Sequence, residues 1–331
     1  MSYLLSKRLI DLRKLLVDGA HLVKDSIRLG RAGGGYLTCY SLRSPFDATS
    51  TAADVTTGID LTGKTALVTG CNSGIGYETM RVLALRGAHV LGTARTMEKG
   101  QEACASVEGR CTPIVLDLSD FQSVVACGNQ VVGMEASLDM LICNAGVLYP
   151  DYPRKNGLEL HFLTNHLGHY LLTRRLLSIV LAAPQGRVVT LGSSAHGNVP
   201  DDGIYFDNLS GSGWLTPGYG HSKLANGLFS MELARRFEGT AATSNCVDPG
   251  SVVTNIFRHS DMPWNENSKG VKSLAQGAAS TCYVAASPDL AGVSGRYFRN
   301  CNLDIPSKLM RNDRLAKKLW DVSEELVRQY L

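Results

Sequence analysis

The apolar run KTALV, Lys64–Val68, leads directly into TGCNSGIG, Thr69–Gly76, and the helical pattern YETMRVLALRGAHV follows it. Strand, glycine turn and helix in that order restrict this chain more than any other feature. One glycine gives the tight turn, a second lets the backbone approach a ligand closely, and a third lets helix and strand pack closely. Gly70, Gly74 and Gly76 stand at these places, so the free N–H groups that open the helix are set to receive a phosphate.

The unit repeats along the chain. Apolar runs at Thr65–Thr69, His89–Thr93, Thr112–Asp117, Leu138–Asn144, Arg187–Gly192, Thr243–Asp248 and Gly295–Phe298 read as strands. Helical patterns at about 75–86, 97–106, 120–132, 157–182, 217–238 and 270–286 alternate with them. The expectation is an α/β fold, a Rossmann-type doubly wound parallel sheet of about seven strands covered on both faces. With 331 residues and 44% hydrophobic content, one large core can be buried. The expected division is an N-terminal amphipathic helix and linker over 1–57, one domain over 58–302, and a C-terminal helical extension over 303–331.

Residues 1–31 place Leu5, Leu9, Leu12, Leu16, Ala20, Val23 and Ile27 at three- and four-residue steps. The other faces mix seven Lys and Arg with Asp11, Asp18 and Asp25, which suits peripheral contact with a membrane surface, docking on a partner, or packing on the chain's own domain. Three aspartates count against a transit peptide, and no signal-peptide core or stretch long enough for a membrane span is present. A cytoplasmic location, with membrane association through this helix left open, is expected.

The formal charge of +3 is spread along the chain, so nucleic acid is not an expected partner. Nine cysteines with no CxxC pair point to a reduced compartment, with neither a zinc site nor a disulfide framework. No metal site is expected. His166 and His169 lack a third ligand and are expected to be structural, as are Cys71 and Cys143 as small packing residues.

Well downstream lies YGHSK, with Tyr219 and Lys223 one helical turn apart on a common face. A phenol with an ordinary pKa of about 10 needs a shift of roughly 3 units to exchange protons near neutrality, about 4 kcal/mol. A single cation about 4 Å away supplies that much at an effective dielectric of about 20. Tyr219 is therefore a candidate acid/base with Lys223 as its electrostatic partner, and the glycine turn upstream suggests nicotinamide redox chemistry.

Taken together, TGCNSGIG, CNAG at Cys143–Gly146, VVTLGSSAH, YGHSK and DPGSVVT at Asp248–Thr254 resemble the short-chain dehydrogenase/reductase family over about residues 60–300. NHLGH, YGHSKLAN and the long serine-to-tyrosine gap resemble its retinol dehydrogenase and WW-domain-oxidoreductase-like branch, although no WW domain is read here. The resemblance implies a catalytic set of Asn165, Ser194, Tyr219 and Lys223, with Ser193 a neighbour of undefined role. It implies a cofactor site made by Gly70, Asn72, Ser73, Gly74, Ile75 and Gly76, by Asp117 and Leu118 beside the adenine, by Asn144, Ala145 and Gly146 along the cleft, by Tyr219 and Lys223, and by Pro249, Gly250, Val252 and Thr254 on the nicotinamide side. It also implies a homodimer or homotetramer built through the helices at 157–182 and 217–238.

At the end of the second strand, where an acid would bind the ribose hydroxyls of NAD, stand Ala94 and Arg95. A guanidinium there suits a 2′-phosphate, so NADP(H) is favoured over NAD(H). Tyr205, Phe206 and Trp214 before the catalytic helix, and Ile256, Phe257, Met262 and Trp264 after Thr254, are expected either to line a cleft for a small hydrophobic carbonyl or alcohol or to pack as core. The expected activity is an NADP(H)-dependent oxidoreductase interconverting a carbonyl and an alcohol. The alternative is an NADP(H)-binding redox sensor or scaffold acting through its N-terminal helix.

Overall fold

In the computed structural model the described residues are 43–259, 265 and 267–331, so the expected helix over 1–31, Cys39, Met262 and Trp264 lie outside them. Seven strands run parallel: β1 (Thr65–Val68), β2 (His89–Ala94), β3 (Cys111–Val115), β4 (Met140–Cys143), β5 (Arg187–Leu191), β6 (Thr243–Asp248) and β7 (Tyr297–Arg299). A two-residue strand, β8 (Asn302–Leu303), turns back antiparallel to β7 through Asn300 and Cys301, whose φ angles of 53° and 60° lie in the left-handed region. The spatial order is β3-β2-β1-β4-β5-β6-β7-β8. The order reverses between β1 and β4, and the carboxyl ends of the strands there open the crevice in which doubly wound folds bind ligands.

Among the described residues, seven helices cover the sheet: α1 (Gly74–Leu85), α2 (Met97–Ala105), α3 (Phe121–Met134), α4 (Gly168–Ala182), α5 (Gly218–Arg236), α6 (Leu274–Ala286) and α7 (Asp313–Val327). Every residue of β1, β2, β4, β5 and β6 is buried, because both faces are covered. Alternation in β1 feeds two cores: Leu67 enters the layer with α3, α4, α5 and α7, while Ala66 and Val68 enter the layer with α1 and α6.

Two features depart from the sequence reading. The stretch expected as linker up to Thr57 joins the compact unit from Ser44 onward. Ala52 and Val55 are buried in the α1/α6 layer, Ala52 N donates to Ala275 O at 2.8 Å, and Phe46 meets Tyr283 edge-on at 5.7 Å. A Ser/Thr/Asp-rich composition concealed these few apolar anchors.

The helix expected from 157 begins later. Residues Arg154–Lys155 and Leu158–Glu159 form a hairpin, Phe162–Leu167 is a π-helical turn, and regular helix follows at Gly168. Asn156 and Gly157, at φ 55° and 77°, close the hairpin in left-handed conformations that a helix start does not take.

The C-terminal helix α7 packs on parts of α4 and α5. Trp320 packs on Tyr170 (5.0 Å) and Phe229 (6.0 Å), with the Arg236 guanidinium 3.9 Å from its ring centre. The buried stripe of α7 is Ala316, Leu319, Trp320, Ser323 and Val327. Of α5, only Arg236 is exposed rather than buried or half-buried. Among the described residues, no helix is long and apolar enough to cross a membrane.

Candidate active site

The glycine turn closes β1 and opens α1. Gly70 and Gly74 have φ of 73° and 64°, which β-carbon-bearing residues rarely adopt. A Cβ on Gly76 would stand 2.3 Å from both Gly70 O and Asn144 Nδ2, so only glycine lets helix and strand meet here. Asn72 is exposed and Ser73 and Ile75 are half-buried around the turn.

Thr69 ties this turn to the loop after β4. Its hydroxyl accepts from the backbone N–H of Asn144 and of Ala145, each at 2.9 Å, while Asn144 Nδ2 donates to Thr69 O at 2.7 Å. The loop after β6 reaches the same turn: Thr254 would lie 3.3 Å from a Cβ on Gly74, and Ile256 packs over Gly146. Within that loop Gly250, at φ 81°, donates its N–H to Asp248 Oδ1 at 2.8 Å, and buried Val252 bridges to Lys272. Pro249 lies between Asp248 and Gly250.

At the end of β2, Ala94 is buried and Arg95 stands exposed. After β3, Asp117 Oδ1 accepts from Ser119 N and Oγ, and buried Leu118 lies against Gly168, where a Cβ would meet Leu118 O at 2.3 Å. Apart from Tyr219 and Lys223, the expected cofactor residues thus gather at the carboxyl ends of β1, β2, β3, β4 and β6.

These residues fit a dinucleotide. No side chain caps the first N–H groups of α1, no acid stands in its first turn, and the glycine cradle would be filled by any added Cβ. Such a group would be held at its phosphates by the Gly70–Gly76 turn.

Tyr219 and Lys223 share the face of α5 turned toward β5. Lys223 Nζ donates to Leu191 O at 3.0 Å and lies 5.4 Å from the Tyr219 ring centre. Burial lowers the Lys223 ammonium to about 8. Tyr219 keeps partial exposure at the cleft, yet burial pushes its phenol above the usual range, against an opposing hydrogen bond from Ser193 and assisted by the charge of Asp248. In the chain by itself, desolvation is the largest influence on the phenol and raises it.

The serine assignment needs correction. Ser193, not Ser194, is the serine that acts to lower the pKa of the Tyr219 phenol, and Ser194 is exposed. β5 ends at Leu191, and Ser193 caps the short 3-10 turn Ser194–Gly197 by accepting from Ala195 N at 3.2 Å. That turn swings Ser194 away. Counting back from the strand end, rather than taking the second serine of the pair, would have found it.

Asn165 sits in the π-helical turn, fully buried. Its amide is spent on Val147, accepting from the N–H at 2.8 Å and donating to the carbonyl at 3.1 Å, and on Ser222 Oγ at 3.0 Å. Its backbone oxygen accepts from His169 Nδ1 at 2.9 Å, so the proton sits on that nitrogen and His169 Nε2 accepts from the Thr69 hydroxyl at 2.8 Å. Burial lowers His169 to about 4 and His166 to about 3, and His166 Nε2 meets Ser323 Oγ at 2.8 Å. His169, which carried no sequence signal beyond its spacing, is the strut between the Asn165 turn and the glycine turn.

Three aromatics expected as cleft candidates pack elsewhere. Trp214 is buried against His221 (4.3 Å) and Tyr205 (5.6 Å) and donates from Nε1 to Asn208 O, and Phe206 lies under the Lys318 ammonium. Ile256 and Phe257 stay half-buried beside the cleft loop. Cys71 and Cys143 are buried, and burial pushes the Cys143 thiol up to about 12, in keeping with packing. Among the described residues, no cluster of three or more His, Cys, Asp or Glu could hold a metal ion.

The short chain dehydrogenase family model matches residues 64–263. The short-chain dehydrogenase TIC 32 B, chloroplastic, of Brassica napus is 40% identical over 319 residues, 88% of this chain and 98% of that protein. Retinol dehydrogenase 12 of Mus musculus is 39% identical over 88% of this chain and 94% of its own length. The WW domain-containing oxidoreductase of Pongo abelii is 36% identical over 87% and 74%. The crystal structure of an uncharacterised protein from Mycobacterium paratuberculosis superposes with a TM-score of 0.69 at 30% identity, covering 85% of this chain and 98% of that one. With the parallel sheet, the glycine turn and relatives matched over most of their length, the chain belongs to the short-chain dehydrogenase family and is an oxidoreductase acting on CH–OH groups.

Proposed function

We propose that this chain is an NADP(H)-dependent oxidoreductase that interconverts a carbonyl and an alcohol on a small hydrophobic substrate. The observation that carries this reading is the placement of Tyr219 and Lys223 on one face of α5, with the Lys223 ammonium 5.4 Å from the Tyr219 ring centre and Ser193 acting to lower the pKa of the phenol. The bound nicotinamide supplies or accepts the hydride. Tyr219 gives its phenolic proton to the carbonyl oxygen in reduction and takes it back in oxidation, and Ser193 donates a hydrogen bond to that oxygen as negative charge develops on it.

Lys223 would hold the ribose of a bound cofactor, and its positive charge favours the phenolate. Since burial alone raises Tyr219, the added positive charge of an oxidised ring would oppose that shift in the oxidation direction. Asn165 fixes the wall at Val147 and the helix at Ser222, which supports a role beside the proton path.

Exposed Arg95 after buried Ala94 supports NADP(H), because a guanidinium can pair with a 2′-phosphate where no carboxylate competes. Ile256 and Phe257, together with relatives named for retinol, support an apolar substrate. The test is nicotinamide absorbance followed with NADPH and NADH over retinoid, steroid and aromatic carbonyl panels. Turnover with NADPH that disappears in Tyr219→Phe is the expected result; turnover surviving that change would remove Tyr219 from the chemistry.

A further inference from the structure

The hairpin before the π-helical turn buries a carboxylate and an imidazole that the proposed chemistry leaves unused. Glu159 and His161 are each 0% exposed. The backbone N–H of Tyr149 can only donate, and it reaches His161 Nε2 at 2.8 Å, so the imidazole carries its proton on Nδ1 and donates it to Glu159 Oε1 at 2.5 Å. Glu159 Oε2 accepts from Phe162 N at 2.9 Å.

Both ends of this pair lead to the reacting residues. The His161 ring meets the Tyr219 ring edge-on, with centres 6.2 Å apart, and meets Tyr149 at 5.8 Å. Tyr149 in turn stacks on His259 at 4.8 Å, across to the loop after β6. The carboxylate abuts the start of α5: a Cβ on Gly218 would stand 2.8 Å from Glu159 Oε1. No side chain caps α5 through Pro217, so the negative charge lies where the helix presents its positive end, one residue before Tyr219.

We propose that the Glu159–His161 pair is a positioning device that sets the Tyr219 ring and the cleft wall at Tyr149 together. The proposal rests on the acid/base reading of Tyr219. Apolar residues of the same volume would fill this space at lower desolvation cost, so packing alone does not account for a buried charge here. What an apolar pair cannot do is hold the Tyr149 N–H, the Phe162 N–H and the N-terminus of α5 in one register. Orientation of this kind acts on the turnover step, whereas the glycine turn, at the other end of the cleft, acts on cofactor affinity.

The test uses the full chain with Glu159→Gln, which keeps size and shape, His161→Leu, which removes both ring nitrogens, and His161→Gln, whose amide can again accept from Tyr149. Expected are a kcat loss of about tenfold in Glu159→Gln, a larger loss in His161→Leu and partial recovery in His161→Gln, with NADPH affinity by fluorescence titration within about twofold of wild type. Independently of turnover, protein labelled with carbon-13 at tyrosine Cζ should show a Tyr219 resonance, identified by its loss in Tyr219→Phe, that shifts or broadens in Glu159→Gln and His161→Leu. Folded variants with wild-type kcat and an unmoved resonance would overturn the proposal, as would a loss of NADPH affinity in proportion to kcat. If wild type turns over none of the panels, the acid/base reading fails, and the resonance still decides whether the pair positions the ring.

Discussion

The Ser193 hydroxyl acts to lower the pKa of the Tyr219 phenol, while Ser194, the next residue, is exposed. Ser193→Ala should therefore lower kcat by roughly 100- to 1,000-fold, the range seen when a donor to a developing oxyanion is removed. Ser194→Ala should leave kcat within about threefold of wild type, and steady-state kinetics of the two variants side by side decide between the serines.

Lys223 is a buried ammonium whose pKa is lowered to about 8. It is charged below that value and loses its proton as pH rises through it, so cofactor binding and turnover should decline above about pH 8. Lys223→Arg keeps its charge there, and its pH profile should lack that decline even though the bulkier guanidinium lowers the absolute rate.

Arg95 follows buried Ala94 at the end of β2. Arg95→Ala should weaken NADPH binding about 10- to 100-fold, the equivalent of one charge-assisted hydrogen-bond pair, and leave NADH unchanged. Equal loss for both cofactors in a fluorescence titration would remove the 2′-phosphate role.

Burial depresses His169 to about 4 from its ordinary 6.5, so the folded chain holds it neutral. The stabilisation is complete above about pH 6.5 and is lost as pH falls toward 4, because the unfolded chain then binds the extra proton. This single group accounts for roughly 3 kcal/mol over that window. Thermal unfolding against pH should show a steeper acid loss in wild type than in His169→Gln, with the variant less stable at neutral pH through the lost Thr69 contact.

Trp320 is 5% exposed and fills the space between Tyr170 and Phe229. Trp320→Ala should cost about 3–5 kcal/mol in denaturant unfolding. Because α7 packs on parts of α4 and α5, sedimentation of the intact chain should show no association through those helices, and self-association should rise once α7 is loosened.

Local pattern carried much of this protein. The glycine turn, the alternation of apolar runs with helical patterns, and Tyr219 and Lys223 one turn apart all depend on residues near each other in sequence, where the periods of strand and helix speak directly. These determined the doubly wound sheet, the cofactor turn and the pairing of phenol with ammonium. What the tertiary structure decided involves contacts between distant segments: Trp320 on Tyr170 and Phe229, Ala52 on α6, Trp214 on His221 rather than on the cleft, and His169 between Thr69 and Asn165. The choice of Ser193 over Ser194 belongs with them. Adjacent serines have the same propensities, and only the capped turn that closes β5 aims one hydroxyl at Tyr219 and leaves the other in solvent.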